Sequence, residues 1–82
     1  MRYFILGSRG FIAKGIINYF KKKKIKLTKY KTISELIPAQ LKKNDVVINC
    51  LGKRINNENY DELKNKIYSI KNSKKKILWI QL

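Results

Sequence analysis

Apolar and polar residues along the chain predict four β-strands. Predominantly apolar runs at residues 2–6, 46–51 and 77–82 are typical of strands that are buried on both faces. Residues 25–30 instead alternate between apolar and polar, which indicates a strand with one buried face. Each run is bounded by glycine, polar or lysine-rich residues, so that the strands are separated by other elements.

The segments between the strands carry helical patterns. Apolar side chains recur at helical spacing in residues 11–20, with Phe11 and Ile12 opening the stripe, and again in residues 60–70. A shorter helix is predicted for residues 34–41, with Ser34 as its N-cap. Pro38 weakens that prediction, because proline is tolerated only near the start of a helix.

Strands that alternate with helices predict an α/β fold. The order βαβαβαβ with right-handed crossovers gives a Rossmann-like parallel sheet of four strands, in the order 2-1-3-4, with helices on both faces. We therefore predict that residues 1–82 form a single domain, a partial doubly wound fold. Its first and third strands are neighbours, and the crevice at their carboxyl ends is where such sheets bind ligands.

Composition narrows the class of protein. The 82 residues contain one cysteine, Cys50, and no histidine, which excludes an intrachain disulfide framework, a zinc finger and a histidine-dependent catalytic triad. No apolar run reaches the roughly 18–20 residues that a membrane span needs. We expect a cytoplasmic protein that binds no metal and no membrane.

The net charge of +15 raises the question of a polyanionic partner such as RNA. Of the 20 basic residues 17 are lysine, a bias that an AT-rich coding sequence also produces, whereas nucleic-acid surfaces favour arginine. The densest clusters, residues 21–24 and 74–76, fall in predicted loops. Two interpretations remain open: solvated loop charge, or a polyanion-binding surface built from the lysine clusters.

The spacing Gly7-x-x-Gly10-x-x-Ala13 joins the first strand to the first helix. Gly7 allows a sharp turn, and Gly10 lets a phosphate approach the backbone at the helix N-terminus. Ala13 keeps the helix close to the strand. The pattern predicts a dinucleotide pyrophosphate site, with a plain strand-to-helix turn as the alternative.

Residues 1–13 resemble the N-terminus of extended short-chain dehydrogenases, whose pattern is a strand followed by G-x-x-G-[FY]-[IL]-[GA]. Residues 45–52 are similar to a later strand of that family, and residues 77–82 match the next strand by position. The resemblance implies an NAD(P)-dependent protein related to sugar-nucleotide epimerases, dehydratases and reductases. The cofactor-binding residues that it implies are Gly7, Ser8, Arg9, Gly10, Phe11, Ile12, Lys29, Lys31, Leu51 and Gly52.

The second predicted strand departs from the pattern of NAD-specific members, which place an acid at its end for the ribose 2′-hydroxyl. No acid occurs from residue 21 to residue 33. Lys29 or Lys31, together with Arg9, would suit a 2′-phosphate, so the resemblance favours NADP over NAD as the cofactor. Compositional bias remains the alternative explanation for both lysines.

The catalytic Tyr-x-x-x-Lys of the family lies beyond the matched residues. Tyr60 and Lys64 have that spacing but fall in the helix before the fourth strand, so we expect no catalytic residues. The first hypothesis is that the chain is the cofactor-binding portion of a truncated dehydrogenase-like protein and is not catalytic as this short chain. Its expected protein partners are a second copy of itself or a missing C-terminal domain. The alternatives are a small basic RNA-binding α/β protein and a nonfunctional remnant.

Overall fold

A computed structural model describes residues 1–51 and 57–82 and has the predicted α/β architecture. All strand pairs are parallel, in the order β2-β1-β3-β4, so the predicted fold class and strand order are confirmed. Within the described residues the α-helices are α1 (Phe11–Lys22) and α2 (Asn57–Asn72). The strands are β1 (Tyr3–Leu6), β2 (Leu27–Tyr30), β3 (Val46–Asn49) and β4 (Leu78–Gln81).

The four strands are in register, so they begin and end level. Tyr3 pairs with both Leu27 and Val46, and Val46 pairs with Leu78. The sheet therefore has two distinct edges at its strand ends. We call the residues that directly follow the strands the carboxyl edge, and the loops that lead into the strands the amino edge.

A helix packs on each face of the sheet, as predicted. On one face α1 packs through Ala13, which is fully buried with Ile5 and Ile48. On the other face α2 packs through Leu63 and Ile70, which are buried with a larger apolar cluster. Besides these two residues, the buried members of that cluster are Phe4, Leu6, Ile33, Leu36, Leu41 and Val47.

The helix predicted for residues 34–41 is wrong, because two 3₁₀ turns, Ile33–Glu35 and Pro38–Gln40, take its place. Pro38 has no N–H to donate to the carbonyl of Ser34, which an α-helix there would require. The Ser34 hydroxyl also fails to cap a helix and contacts Glu62 Oε2 at 3.1 Å instead. Proline therefore decides the local structure of this segment.

Lys66 on α2 stabilises the 3₁₀ segment. Its ammonium group donates to the carbonyl oxygens of Ile33 and Leu36 at 2.8 and 2.7 Å and lies 3.4 Å from the carboxylate of Glu62. These carbonyls belong to a segment that cannot continue as an α-helix. Lys66 thus supplies the Leu36 carbonyl with a donor that an α-helix would otherwise have provided, while the Ile33 carbonyl also accepts from the Leu36 N–H at 3.1 Å.

Arg2 and Asp45 connect the entrances of two central strands. The Arg2 guanidinium forms a bidentate pair with the carboxylate of Asp45, with 3.0 Å between Nε and Oδ1. The Lys42 backbone N–H donates to the same carboxylate at 2.7 Å. Because Asp45 is almost completely buried, this pairing supplies the partners that a buried charge requires.

Candidate functional site

The predicted glycine turn lies at the carboxyl edge, between β1 and α1. Gly7 has φ = 77°, a conformation that side chains with a Cβ rarely adopt. A Cβ at this position would also lie 3.0 Å from backbone atoms of Cys50 and Leu51. Glycine is therefore required here by both the backbone conformation and the close approach of the chain that leaves β3.

Backbone hydrogen bonds hold the turn against β2. The N–H groups of Gly7 and Ser8 both donate to the carbonyl oxygen of Tyr30, at 2.9 and 3.1 Å. The N–H of Gly10 donates back to the carbonyl of Gly7 at 3.1 Å. The turn thus brings together the ends of β1, β2 and β3, the place in the sheet where the strand order predicts a ligand crevice.

Gly10 is the N-cap of α1 and has an extended conformation, with φ = −71° and ψ = 159°. Within the described residues no side chain caps this helix end, and residues 11–14 include no acid. The N–H groups of a first helical turn lack intrahelical partners and attract anions. A Cβ on Gly10 would lie 3.5 Å from the Gly7 carbonyl oxygen, an ordinary contact, so the packing of the described residues does not itself require glycine there.

Phe11 and Ile12 are exposed, which corrects the predicted apolar stripe of α1. Phe11 is 93% exposed and Ile12 is 62% exposed, whereas Ala13 is buried. Phe11 lies two residues before Ala13, roughly 200° around the helix, and so points away from the sheet. The inner face of α1 instead consists of Ala13, Ile16, Ile17 and Phe20.

The basic residues expected near a ribose phosphate lie on or close to the carboxyl edge. Arg9 is exposed in the glycine turn, and Lys31 is exposed directly after β2. Lys29 pairs with Ile5 and lines a groove beside α1 with Ile17, one position before the strand end. Arg9 and Lys31 are therefore better placed than Lys29 for a group bound at the carboxyl edge.

Asn49 fixes the end of β3 beside the turn. Its side chain is completely buried, donates to Gln81 Oε1 at 2.8 Å and accepts from the Leu51 N–H at 3.1 Å. The indole N–H of Trp79 donates to the same Gln81 oxygen at 3.1 Å. Asn49 thus positions Leu51 through hydrogen bonds within the fold, while the predicted site residue Gly52 lies outside the described residues.

Cys50 is half-buried against the apolar cluster under α1. Burial raises the pKa of its thiol. The thiol is therefore protonated at neutral pH, which disfavours a nucleophilic role. This environment suits a small apolar side chain at a strand end.

The structure also gathers lysines from three loops at the amino edge, which is opposite the glycine turn. The backbone N–H of Asn44 donates to the carbonyl of Lys76 at 2.7 Å, so that two of these loops are joined directly. The sequence shows the lysine clusters, but their position at the same end of the sheet follows from the parallel strand order. The exposed lysines in these loops are Lys23, Lys24, Lys26, Lys42, Lys43, Lys74, Lys75 and Lys76.

Two other kinds of site are absent from the part of the chain that the structure describes. Among the side chains that the structure describes, those of residues 1–51 and 61–82, no three histidine, cysteine, aspartate or glutamate side chains are grouped so that they could hold a metal ion. None of the helices described there has the length and apolar character to cross a membrane. Comparison of the chain with protein-family models, curated proteins and solved structures finds no match.

Proposed function

We propose that the chain binds a dinucleotide through its pyrophosphate at the turn formed by residues 7–10. The observation that carries this proposal is the contrast between the two glycines. Gly7 is required by the fold, whereas a Cβ on Gly10 meets only ordinary contacts, at an uncapped helix end. A glycine at the second position is accounted for by a ligand that approaches the backbone closely.

The proposed cofactor is NADP in preference to NAD. Arg9 and Lys31 are exposed at the carboxyl edge, where the adenosine ribose of a bound dinucleotide would lie. Two cations near a ribose favour a 2′-phosphate over a hydroxyl, because a phosphate carries a charge that they neutralise. The resemblance to extended short-chain dehydrogenases supports the same cofactor class and a cofactor-binding role.

The experiment compares three proteins. NADPH and NADH are titrated separately into the wild type, Gly10→Val and Gly15→Val. Gly15 lies on the same helix, and a Cβ there meets nothing within 4 Å, so this variant is a matched control. We expect Gly10→Val to abolish binding of both nucleotides and Gly15→Val to retain it. Equal binding by all three proteins would contradict a phosphate site at the turn.

A second candidate function is polyanion binding at the amino edge. It is favoured by the lysine-rich loops that lead into β2, β3 and β4, the last two of which are joined by a hydrogen bond, while Asp45, the acid beside them, is already paired with Arg2. Such binding would weaken steeply with salt, because each neutralised phosphate releases counterions. A titration with a single-stranded RNA oligonucleotide at several salt concentrations measures that slope.

The matched variants for this candidate reverse charges at two places. Lys42→Glu/Lys43→Glu changes the amino edge, and Lys14→Glu changes an exposed position on α1. The double variant changes twice as much charge as the single variant. If the polyanion binds at the amino edge, the logarithm of the RNA dissociation constant should therefore rise by more than twice as much in the double variant as in the single variant. Proportional losses would indicate only a general effect of net charge.

A further inference from the structure

The face of the sheet that carries α1 is only half covered. Helix α1 packs over β1 and its neighbours, whereas the side chains of β4 on this face remain accessible. Leu78 is 58% exposed, Ile80 is 36% exposed and Leu82, which follows the strand, is 54% exposed. Three apolar side chains in a row at alternate positions form an exposed apolar strip.

Two grooves meet on this strip. One has a volume of about 420 Å³ and runs between α1 and β4, lined by Ile12, Gly15, Tyr19 and Ile80 among others. The other has a volume of about 490 Å³ and continues toward the amino edge. Ile80 lines both, so they form one continuous surface. We call this surface the open half-face, defined by Ile12, Gly15, Tyr19, Leu78, Ile80 and Leu82.

The topology explains why this surface is open. The crossover from β1 to β2 places α1 on one face, whereas α2 connects β3 to β4 on the opposite face. Among the described elements, α1 is therefore the only helix on its own face. Because β4 lies two strand spacings from β1, roughly 9–10 Å, the uncovered space matches the 8–10 Å that separates packed helices.

The side of α1 that faces this space permits close packing. A Cβ on Gly15 would meet nothing within 4 Å, so a neighbouring helix can approach α1 at this point. Tyr19 is 57% exposed one turn further along the same side of α1. Sheets and helices in α/β folds bury such surfaces against another element of the same layer.

The charges around the open half-face are positive. The Lys23 ammonium lies 5.8 Å from the centre of the Tyr19 ring, and Lys76 lines the second groove. Neither groove has an acidic residue among its lining side chains in the described part of the chain. A second copy of this chain, with a net charge of +15, would bring more positive charge to the same place.

We propose that the open half-face docks an amphipathic helix of another protein, which has an apolar face and acidic residues beside Lys23 and Lys76. The helix lies next to α1, over β4, and its apolar side chains cover Leu78 and Ile80. Its acidic residues lie near the amino edge, where the two lysines are. This surface is independent of the proposed phosphate turn, so either proposal can fail without the other.

The probe is a synthetic 18-residue peptide of leucine, glutamate and alanine with leucines at helical spacing. A peptide of the same composition in scrambled order is the control for charge alone. Binding is measured by fluorescence anisotropy of the labelled peptide against the wild type, Tyr19→Gln and Tyr68→Gln. Tyr68 is 70% exposed on α2, on the opposite side of the sheet, and provides a matched tyrosine control.

We expect the helical peptide to bind the wild type and Tyr68→Gln equally, and to bind Tyr19→Gln about tenfold more weakly. Leu78→Gln should reproduce the loss. Equal binding of the scrambled peptide, or equal loss in Tyr68→Gln, overturns the proposal. A wild-type dimer in sedimentation that Tyr19→Gln dissociates would assign the surface to a second copy. If the wild type binds anionic phosphatidylserine vesicles but not the peptide, and Tyr19→Gln loses the vesicle binding, the open half-face is a membrane-binding surface.

Discussion

Gly7 passes so close to Cys50 that an added Cβ would lie 3.0 Å from the carbonyl carbon and oxygen of Cys50. This proximity ties the turn after β1 to the end of β3 and leaves the backbone little freedom to shift. With the hydrogen bonds to Tyr30, it fixes the shape of the turn before any ligand is bound. A preformed turn lowers the entropic cost of binding a phosphate.

The two glycines of the turn should respond differently to alanine. Gly7→Ala is expected to lower the free energy of unfolding by roughly 2–3 kcal/mol. The alanine would have to adopt a positive φ, and its Cβ would lie too close to the backbone of Cys50 and Leu51. Gly10→Ala should cost less than about 1 kcal/mol, the usual effect of alanine at an N-cap. Urea unfolding followed by Trp79 fluorescence measures both, and equal losses would contradict the packing described for Gly7.

The pair between Arg2 and Asp45 should make stability depend on pH. Burial acts to raise the pKa of Asp45, but the hydrogen bonds from Arg2 and from the Lys42 backbone outweigh it and lower the pKa below its ordinary value of 3.8. A carboxyl with a lowered pKa stabilises the fold fully above its unfolded-state pKa. That stabilisation is lost as the pH falls below 3.8 toward the folded-state pKa.

Asp45→Asn tests this directly. The variant should be less stable at pH 7 by roughly 1–3 kcal/mol, because the charged hydrogen bonds to the carboxylate are lost. Its stability should also fall less steeply in acid than that of the wild type. The measurement is urea unfolding at a series of pH values from 2.5 to roughly 7. Parallel pH profiles for the two proteins would show that this pair does not govern acid stability.

Lys66 should matter more for stability than a typical surface lysine. Lys66→Met is expected to lower the free energy of unfolding by about 1–2 kcal/mol, because the carbonyls of Ile33 and Leu36 lose their charged donor. Lys71→Met, at an exposed position in the last turn of α2, is the matched control and should change stability by less than about 0.5 kcal/mol. The thermal unfolding midpoints of the two variants are compared. Equal midpoint temperatures would show that Lys66 contributes no more than a typical surface lysine.

The NADP preference should depend on the carboxyl-edge cations. Arg9→Gln/Lys31→Gln is expected to weaken NADPH binding about tenfold and to leave NADH binding nearly unchanged, because only NADPH carries the 2′-phosphate. Lys22→Gln/Lys24→Gln removes the same charge at the other end of α1 and is the control. If both double variants weaken the binding of NADPH and of NADH to the same extent, Arg9 and Lys31 are not the source of a preference for NADP.

Much of the fold could be predicted from short-range patterns. The strands, their parallel order and the place of the glycine turn follow from apolar runs and crossover rules. Pro38 excludes an α-helix from its own segment, but the hydrogen bonds that hold the resulting 3₁₀ turns in place come from Lys66, which lies far away in the sequence. Local propensity contains no information about such a donor.

For the candidate site, the position of the glycine turn between β1 and α1 could be predicted from the sequence. The distinct roles of Gly7 and Gly10 could not be read from their spacing, since they depend on where the backbone of Cys50 and Leu51 passes. Phe11 is exposed because it lies roughly 200° around α1 from the buried Ala13, and the apolar pattern does not show which side of the helix faces the sheet. The gathering of lysines at the amino edge is a property of the strand order and not of any single cluster.

Amide chemical shifts of the ¹⁵N-labelled protein show whether a dinucleotide binds at the glycine turn. NADPH is titrated into the wild type and Gly10→Val. The turn and the amino-edge lysines lie at opposite ends of the strands, so the shifts distinguish the two anion-binding surfaces. We predict that the amides of residues 7–12 shift in the wild type and not in Gly10→Val. Shifts confined to residues 42–44 and 74–76, or none at all, would show that no dinucleotide binds at the turn.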